Sequence, residues 1–177
     1  MTAGRPVLAA ILRDALDDFE RSLESLDSSE AEKRLPGFSS ISWTTAHVAR
    51  TIDFWVISGI PGWVRNSYLA SNEFGFGGTG EGVPWDAVCR ALSEVLGKTR
   101  SFLETVDEDD LARESVYQGN IYGLKGKTIK QGYWLARAVA HIYYHIGEIT
   151  TVRAAMGHKV AGFPGTLTAT LAIKRKA

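Results

Sequence analysis

Residues 134–152 read Trp134-Leu-Ala-Arg-Ala-Val-Ala-His141-Ile-Tyr-Tyr-His145-Ile-Gly-Glu-Ile-Thr-Thr-Val152, and this stretch decides the fold. Trp134, Ala138, His141, His145, Ile149 and Val152 recur at helical spacing, so they form one stripe. A stripe this apolar is the buried face of a helix, and two histidines lie in it. At i and i+4 the two imidazoles sit about 40° apart around the axis and about 6 Å apart along it. Both can therefore reach one ion. No acid lies between them, so this is not the metalloprotease pattern with its built-in glutamate base. Arg137 and Glu148 border the stripe and suggest a polar pocket beside it.

Working outward, the same periodicity predicts a helix over residues 128–156, with Gly157 as its stop. Residues 115–127 are glycine-punctuated and suit a small hairpin. Upstream, residues 84–106 carry Trp85, Val88, Cys89, Leu92, Val95, Leu96, Phe102 and Leu103 on one side, which predicts another helix. Asp107 to Asp110 read as a solvated turn that opens a short helical piece. Residues 42–58 predict a third helix, halted by Gly59, Pro61 and Gly62. Residues 6–26 predict the first, with Pro6 suited to an early position. Ser28 or Ser29 is the expected cap of a short turn over 30–35, which Pro36-Gly37 ends. The link over 63–83 holds five glycines between Gly75 and Gly82. Connections this long are uncommon and often functional; a crossover, a pocket wall and a plain surface loop are all open to it. Beyond Gly157, residues 158–177 read as an extended tail. Four long amphipathic helices with little strand signal predict an all-α four-helix bundle, and such bundles place metal sites on facing helices.

Composition narrows the function. The chain has 177 residues, suited to one domain (core about 6–157), with 45% hydrophobic and 23% charged residues. Lys plus Arg and Asp plus Glu number 20 each, for zero formal net charge. A nucleic-acid binder needs a basic surface to release counterions, and Lys174-Arg175-Lys176 is the only basic cluster. No apolar run approaches the roughly 20 residues that span a bilayer, and residues 1–13 lack a signal-peptide layout. Cys89 is the only cysteine, so no internal disulfide forms, which fits a cytoplasmic setting. Cys89 sits among Trp85, Val88, Leu92 and Leu96 and reads as core rather than nucleophile. The glycines of the link make no phosphate loop, since no strand precedes them and no Gly-Lys-Ser/Thr follows. Trp43, Trp55, Trp85 and Trp134 fall at core spacing.

His47 lies on the 42–58 helix, on a stripe with Trp43 and Phe54, so it too points inward. Arg50 is close to that line. Asp53 lies further round, as a candidate to hold an imidazole in one tautomer. His158 follows Gly157 and falls outside the site. Three neutral imidazoles suit zinc, nickel, iron or copper, and three protein ligands leave a position open. Arg50 and Arg137 are candidates to hold a carboxylate. Tyr144, near the site stripe, is a weaker candidate to bond a substrate.

Ser42-Trp-Thr-Thr-Ala-His47-Val-Ala-Arg50 with Asp53-Phe-Trp55 resembles the first histidine motif of the DinB-like family. His141-Ile-Tyr-Tyr-His145-Ile-Gly-Glu148-Ile149, with Arg153, resembles the second, and Gly157 and Phe163-Pro164-Gly165 match its close. The resemblance spans about residues 7–165. It implies an up-up-down-down four-helix bundle with a long crossover, a divalent metal, zinc or nickel foremost and then iron, on His47, His141 and His145, and frequent homodimers. Some relatives are transferases or isomerases that use a low-molecular-weight thiol, such as mycothiol-dependent maleylpyruvate isomerase. Family members often carry glutamine where this chain has Glu148. A fourth ligand, a general base and a partner for Arg137 or Arg153 are the roles open to it. The expected function is thus a metal-dependent transferase or isomerase acting on a small molecule with a thiol. A non-catalytic metal-binding or stress-response protein and a metal-dependent hydrolase are the alternatives.

Overall fold

The computed structural model describes residues 6–57, 60, 62–117, 119, 123–159, 162 and 165. Most of the expected tail, including Phe163-Pro164, residues 166–173 and the basic cluster, lies outside the described residues. So do Gly59 and Pro61.

Four long helices form the body: α1 (Val7–Leu23), α3 (Ile41–Trp55), α4 (Trp85–Thr105) and α6 (Gln131–Ala155). Each buries the stripe its sequence marks out. Leu12, Leu16 and Phe19 of α1, Ile52 of α3, Leu96 and Leu103 of α4, and Leu135, Ile142 and Ile146 of α6 meet in one core. Around the bundle α1 packs on α6, α6 on α3, α3 on α4 and α4 on α1. The pairs α1/α3 and α4/α6 therefore lie across diagonals. In a simple up-and-down bundle, consecutive helices are neighbours. Here the first and second are not, which is the neighbour relation of an up-up-down-down bundle.

Short elements set the helix ends, and here the structure departs from expectation. The short α2 (Ser28–Glu32) is capped by Asp27, not by Ser28 or Ser29. Asp27 accepts from Glu30 N at 2.9 Å and the Glu30 carboxylate accepts from Asp27 N at 3.4 Å, a reciprocal capping box. That box places Glu32 to accept from Trp85 N at 2.7 Å, so α2 caps the start of α4. The acidic turn does open a helix, α5 (Glu108–Ala112), again through a capping box, Asp107 with Asp110. The last helix starts at Gln131 rather than 128. Thr128–Lys130 instead forms β2, antiparallel to β1 (Glu114–Val116), with Ser115 opposite Ile129. The β-branched pair Thr128-Ile129 favours the extended form, and Ile129 is buried in it. Gly157 ends α6 at φ +91°, and His158 N donates to Arg153 O at 3.0 Å. A residue with a Cβ is disfavoured at that φ, which is why glycine serves there.

The 63–83 link is both crossover and wall. Leu69 and Phe74 are buried, and Asn72–Phe74 makes one 3₁₀ turn. Ser42 Oγ accepts from Val83 N at 3.1 Å, and Gly80 O accepts from Ser40 N at 2.9 Å. The link is thereby tied to the first turn of α3. Among the described residues no helix is long and apolar enough to cross a membrane.

Candidate metal centre

The α3/α6 contact brings the three histidines together. His141 Nε2 is 3.2 Å from His47 Nε2 and 3.2 Å from His145 Nε2. One nitrogen from each ring lies within 4.8 Å of the others. His145 is buried and the other two are partly so. The i, i+4 spacing on α6 sets the first pair, and the helix contact supplies the third ring.

The opposite ring nitrogens explain how the rings are aimed. His47 Nδ1 lies 2.8 Å from Phe74 O. A carbonyl can only accept, so Nδ1 carries the proton and Nε2 presents a lone pair. His145 Nδ1 lies 2.6 Å from Glu148 Oε2, which fixes the same tautomer. His141 Nδ1 is buried and has no hydrogen-bond partner among the described residues. Packing places that ring instead: Trp55 meets it edge-on with centroids 5.3 Å apart. Trp43 stacks on His47 at 5.2 Å with planes 7° apart, and its Nε1 donates to Glu73 O.

Two lone pairs thus face a third imidazole, which has at most one proton to offer them. Protonation is not the remedy. Burial pushes His47 below the ordinary imidazole value. Burial, then the neighbouring His145, His47 and Arg137, pushes His141 down to about 3. A divalent cation held by the three rings would resolve the arrangement. With metal–nitrogen bonds of about 2.0–2.1 Å, the edge of a tetrahedron is about 3.3 Å, close to the 3.2 Å that separates His141 from each of the other two rings, with the third pair within 4.8 Å. The donor set therefore fits a zinc-like ion, which His47, His141 and His145 could hold.

Glu148 holds His145 rather than joining the cluster, in which all three donors are imidazoles. The hydrogen bond from His145 keeps its carboxyl below the usual range. Of the roles open to it, that of partner to Arg137 or Arg153 has no ion pair to support it among the described residues. The Arg137 guanidinium lies 4.8 Å from the Trp55 ring centre and donates to Tyr133 Oη. Arg153 donates to Ser22 O.

Asp53 does not hold a histidine. It lies six residues from His47, about 240° round the helix. There it is fully buried, accepting from Arg65 Nε at 3.0 Å and Asn66 N at 3.2 Å. Arg50 is also turned from the cluster and donates to Ser71 O at 3.1 Å. Both residues anchor the crossover. The role expected of Asp53 is filled by Phe74 O, a backbone atom that no side-chain pattern could reveal.

A cavity of about 730 Å³ opens above the imidazoles. Trp43, Trp55, Arg137, Tyr144, Glu148 and Phe76 are among the residues around the three histidines in its lining. Tyr144 is largely exposed, and the charge of Glu148 raises its phenol. It therefore stays a neutral O–H at the rim.

A helical bundle with a three-imidazole centre facing a cavity defines a class of candidate metalloprotein. The profile of the DinB superfamily matches residues 11–149, and the chain belongs to that superfamily. Solved structures agree on the fold. A conserved protein from Enterococcus faecalis aligns with TM-score 0.61 and 18% identity over 86% of this chain and 96% of its own. YfiT from Bacillus subtilis, described as a probable metal-dependent hydrolase with an unusual four-helix bundle topology, aligns with TM-score 0.59 and 16% identity over 86% and 87%. A mutant mycothiol-dependent maleylpyruvate isomerase aligns with TM-score 0.55 and 15% identity, over 80% of this chain and 59% of that one. No curated protein sequence matches this chain significantly.

Proposed function

We propose that this chain is a divalent-metal-dependent transferase or isomerase that uses a low-molecular-weight thiol. One observation carries the reading: three Nε2 atoms converge at a cavity of about 730 Å³ that is far larger than a water needs. Three protein ligands leave coordination open on the cavity side, the arrangement of catalytic rather than structural sites. A bound divalent ion supplies Lewis acidity there, lowering the pKa of a thiol or water it coordinates.

The chain's own groups do the rest. His47 and His145 present fixed lone pairs because Phe74 O and Glu148 hold their opposite nitrogens. Trp43 and Trp55 pack against the ligand rings and keep water from their flanks. Arg137 lines the cavity and is the cation placed to meet a carboxylate of the thiol or its acceptor. Glu148 bears on the choice between transferase and hydrolase. The hydrolase alternative gives Glu148 the part of base, and its Oε2 is already engaged by His145 Nδ1 at 2.6 Å. This favours the thiol reading over the probable metal-dependent hydrolase that YfiT is described as.

Cobalt substitution tests the proposal. A physiological thiol should shift the visible bands of the cobalt-loaded protein through a new sulfur ligand. Bands that respond to no common thiol, with an ester turned over, would assign a hydrolase instead. Unresponsive bands with nothing turned over would assign a metal-binding protein.

A further inference from the structure

The rim of the cavity carries one residue that metal binding does not explain. Phe76 lines the cavity and is 96% exposed, the highest value among the exposed large hydrophobic residues described. A lone exposed apolar side chain is ordinary, so its setting decides the matter. Two residues before it, Phe74 is buried and its carbonyl holds His47 Nδ1. Two residues after it, Gly78 sits so close to Glu73 O and the Trp43 ring that a Cβ would meet Trp43 Cζ2 at 2.7 Å. Trp43 in turn stacks on His47. The backbone on both sides of Phe76 is therefore pinned to one histidine of the cluster. Between these anchors the ring stands on Gly75-Phe76-Gly77, with Gly77 at φ +80°. The turn that carries the ring is closed by Gly75 N donating to Asn72 O at 2.9 Å and Gly78 N donating to Gly75 O at 3.1 Å, so the ring can swing on its own side-chain torsions while both anchors hold.

We infer that the site takes a substrate with a flat apolar or aromatic body behind a metal-binding head, and that Phe76 closes over that body. The inference rests on reading the three histidines as a metal site. Closure would bury a phenyl ring that is otherwise in water and would exclude solvent from the imidazoles.

Two probes with the same chelating head separate these points. Acetohydroxamate has no apolar body and benzohydroxamate has an aromatic one. On the zinc-loaded full chain, benzohydroxamate should bind tighter by about fivefold to tenfold, the scale of one aromatic contact. Phe76→Ala should erase that preference while zinc content and acetohydroxamate affinity hold. Phe76→Trp should keep it. Equal affinities for the two probes in the wild type, or a preference that survives Phe76→Ala, would overturn the inference and leave the metal reading standing. A chain that binds no zinc would overturn both. A dimer that becomes monomeric in Phe76→Ala, by light scattering, would assign the ring to a second copy and also overturn it.

Discussion

Glu148 is the residue on which the chemistry turns. Its Oε2 lies 2.6 Å from His145 Nδ1, and its side chain remains partly exposed. Removing its charge should leave the fold intact but weaken the hold on His145. Glu148→Gln is expected to lower metal affinity about 10- to 100-fold, as loss of such an outer partner commonly does, measured by competition with a chelator. His141 makes a second prediction. Its folded value of about 3 lies below the ordinary 6.5. Between those values the unfolded chain binds a proton that the native chain does not. Stability therefore falls as pH drops from 6.5 towards 3. The metal-free protein should melt lower at pH 5 than at pH 7, and His141→Phe should flatten that dependence. The pair on α6 was legible because i, i+4 geometry is local. The role of Asp53 was misread because proximity in sequence stood in for angle, and 240° of helix turned it to Arg65 instead.

The elements explain how local signals became a site. Helix ends were legible where they depend on one residue's backbone, as at Gly157, or on a cap within three residues, as at Asp107. The start of α6 was not, because Thr128 to Lys130 pair with a strand 12 to 16 residues upstream. Such pairing outweighs a helical pattern, and two β-branched residues, Thr128 and Ile129, are its only local mark. The crossover is the element that most needed the structure. Its contacts to His47, Trp43 and Asp53 are largely through backbone atoms. Gly78 tests it, since a Cβ there meets Glu73 O and Trp43 Cζ2 together. Gly78→Ala should destabilise the protein by about 1–3 kcal/mol, the range of overpacking, and should weaken metal binding as well. A variant with wild-type melting and wild-type affinity would show that the crossover does not support His47.

At the scale of the molecule, the bundle's topology makes the site possible. Because α3 and α6 are neighbours while α1 and α3 are not, a histidine from the second long helix meets two from the fourth. The sequence carried the helices and the resemblance carried their order, but the packing of α3 on α6 had to be seen. A metal held by both helices clamps them together. Zinc at 100 times its dissociation constant should add about 2.7 kcal/mol, or roughly 5–10 °C for a chain of this size, in thermal melts. His47→Ala, which leaves ligands on α6 alone, should lose most of that gain.

Anomalous diffraction from crystals grown with zinc, recorded across the zinc edge, tests the central claim most directly. One strong peak is expected about 2.0–2.1 Å from the Nε2 atoms of His47, His141 and His145, on the cavity side. A peak placed elsewhere, or none at the three imidazoles, would contradict it.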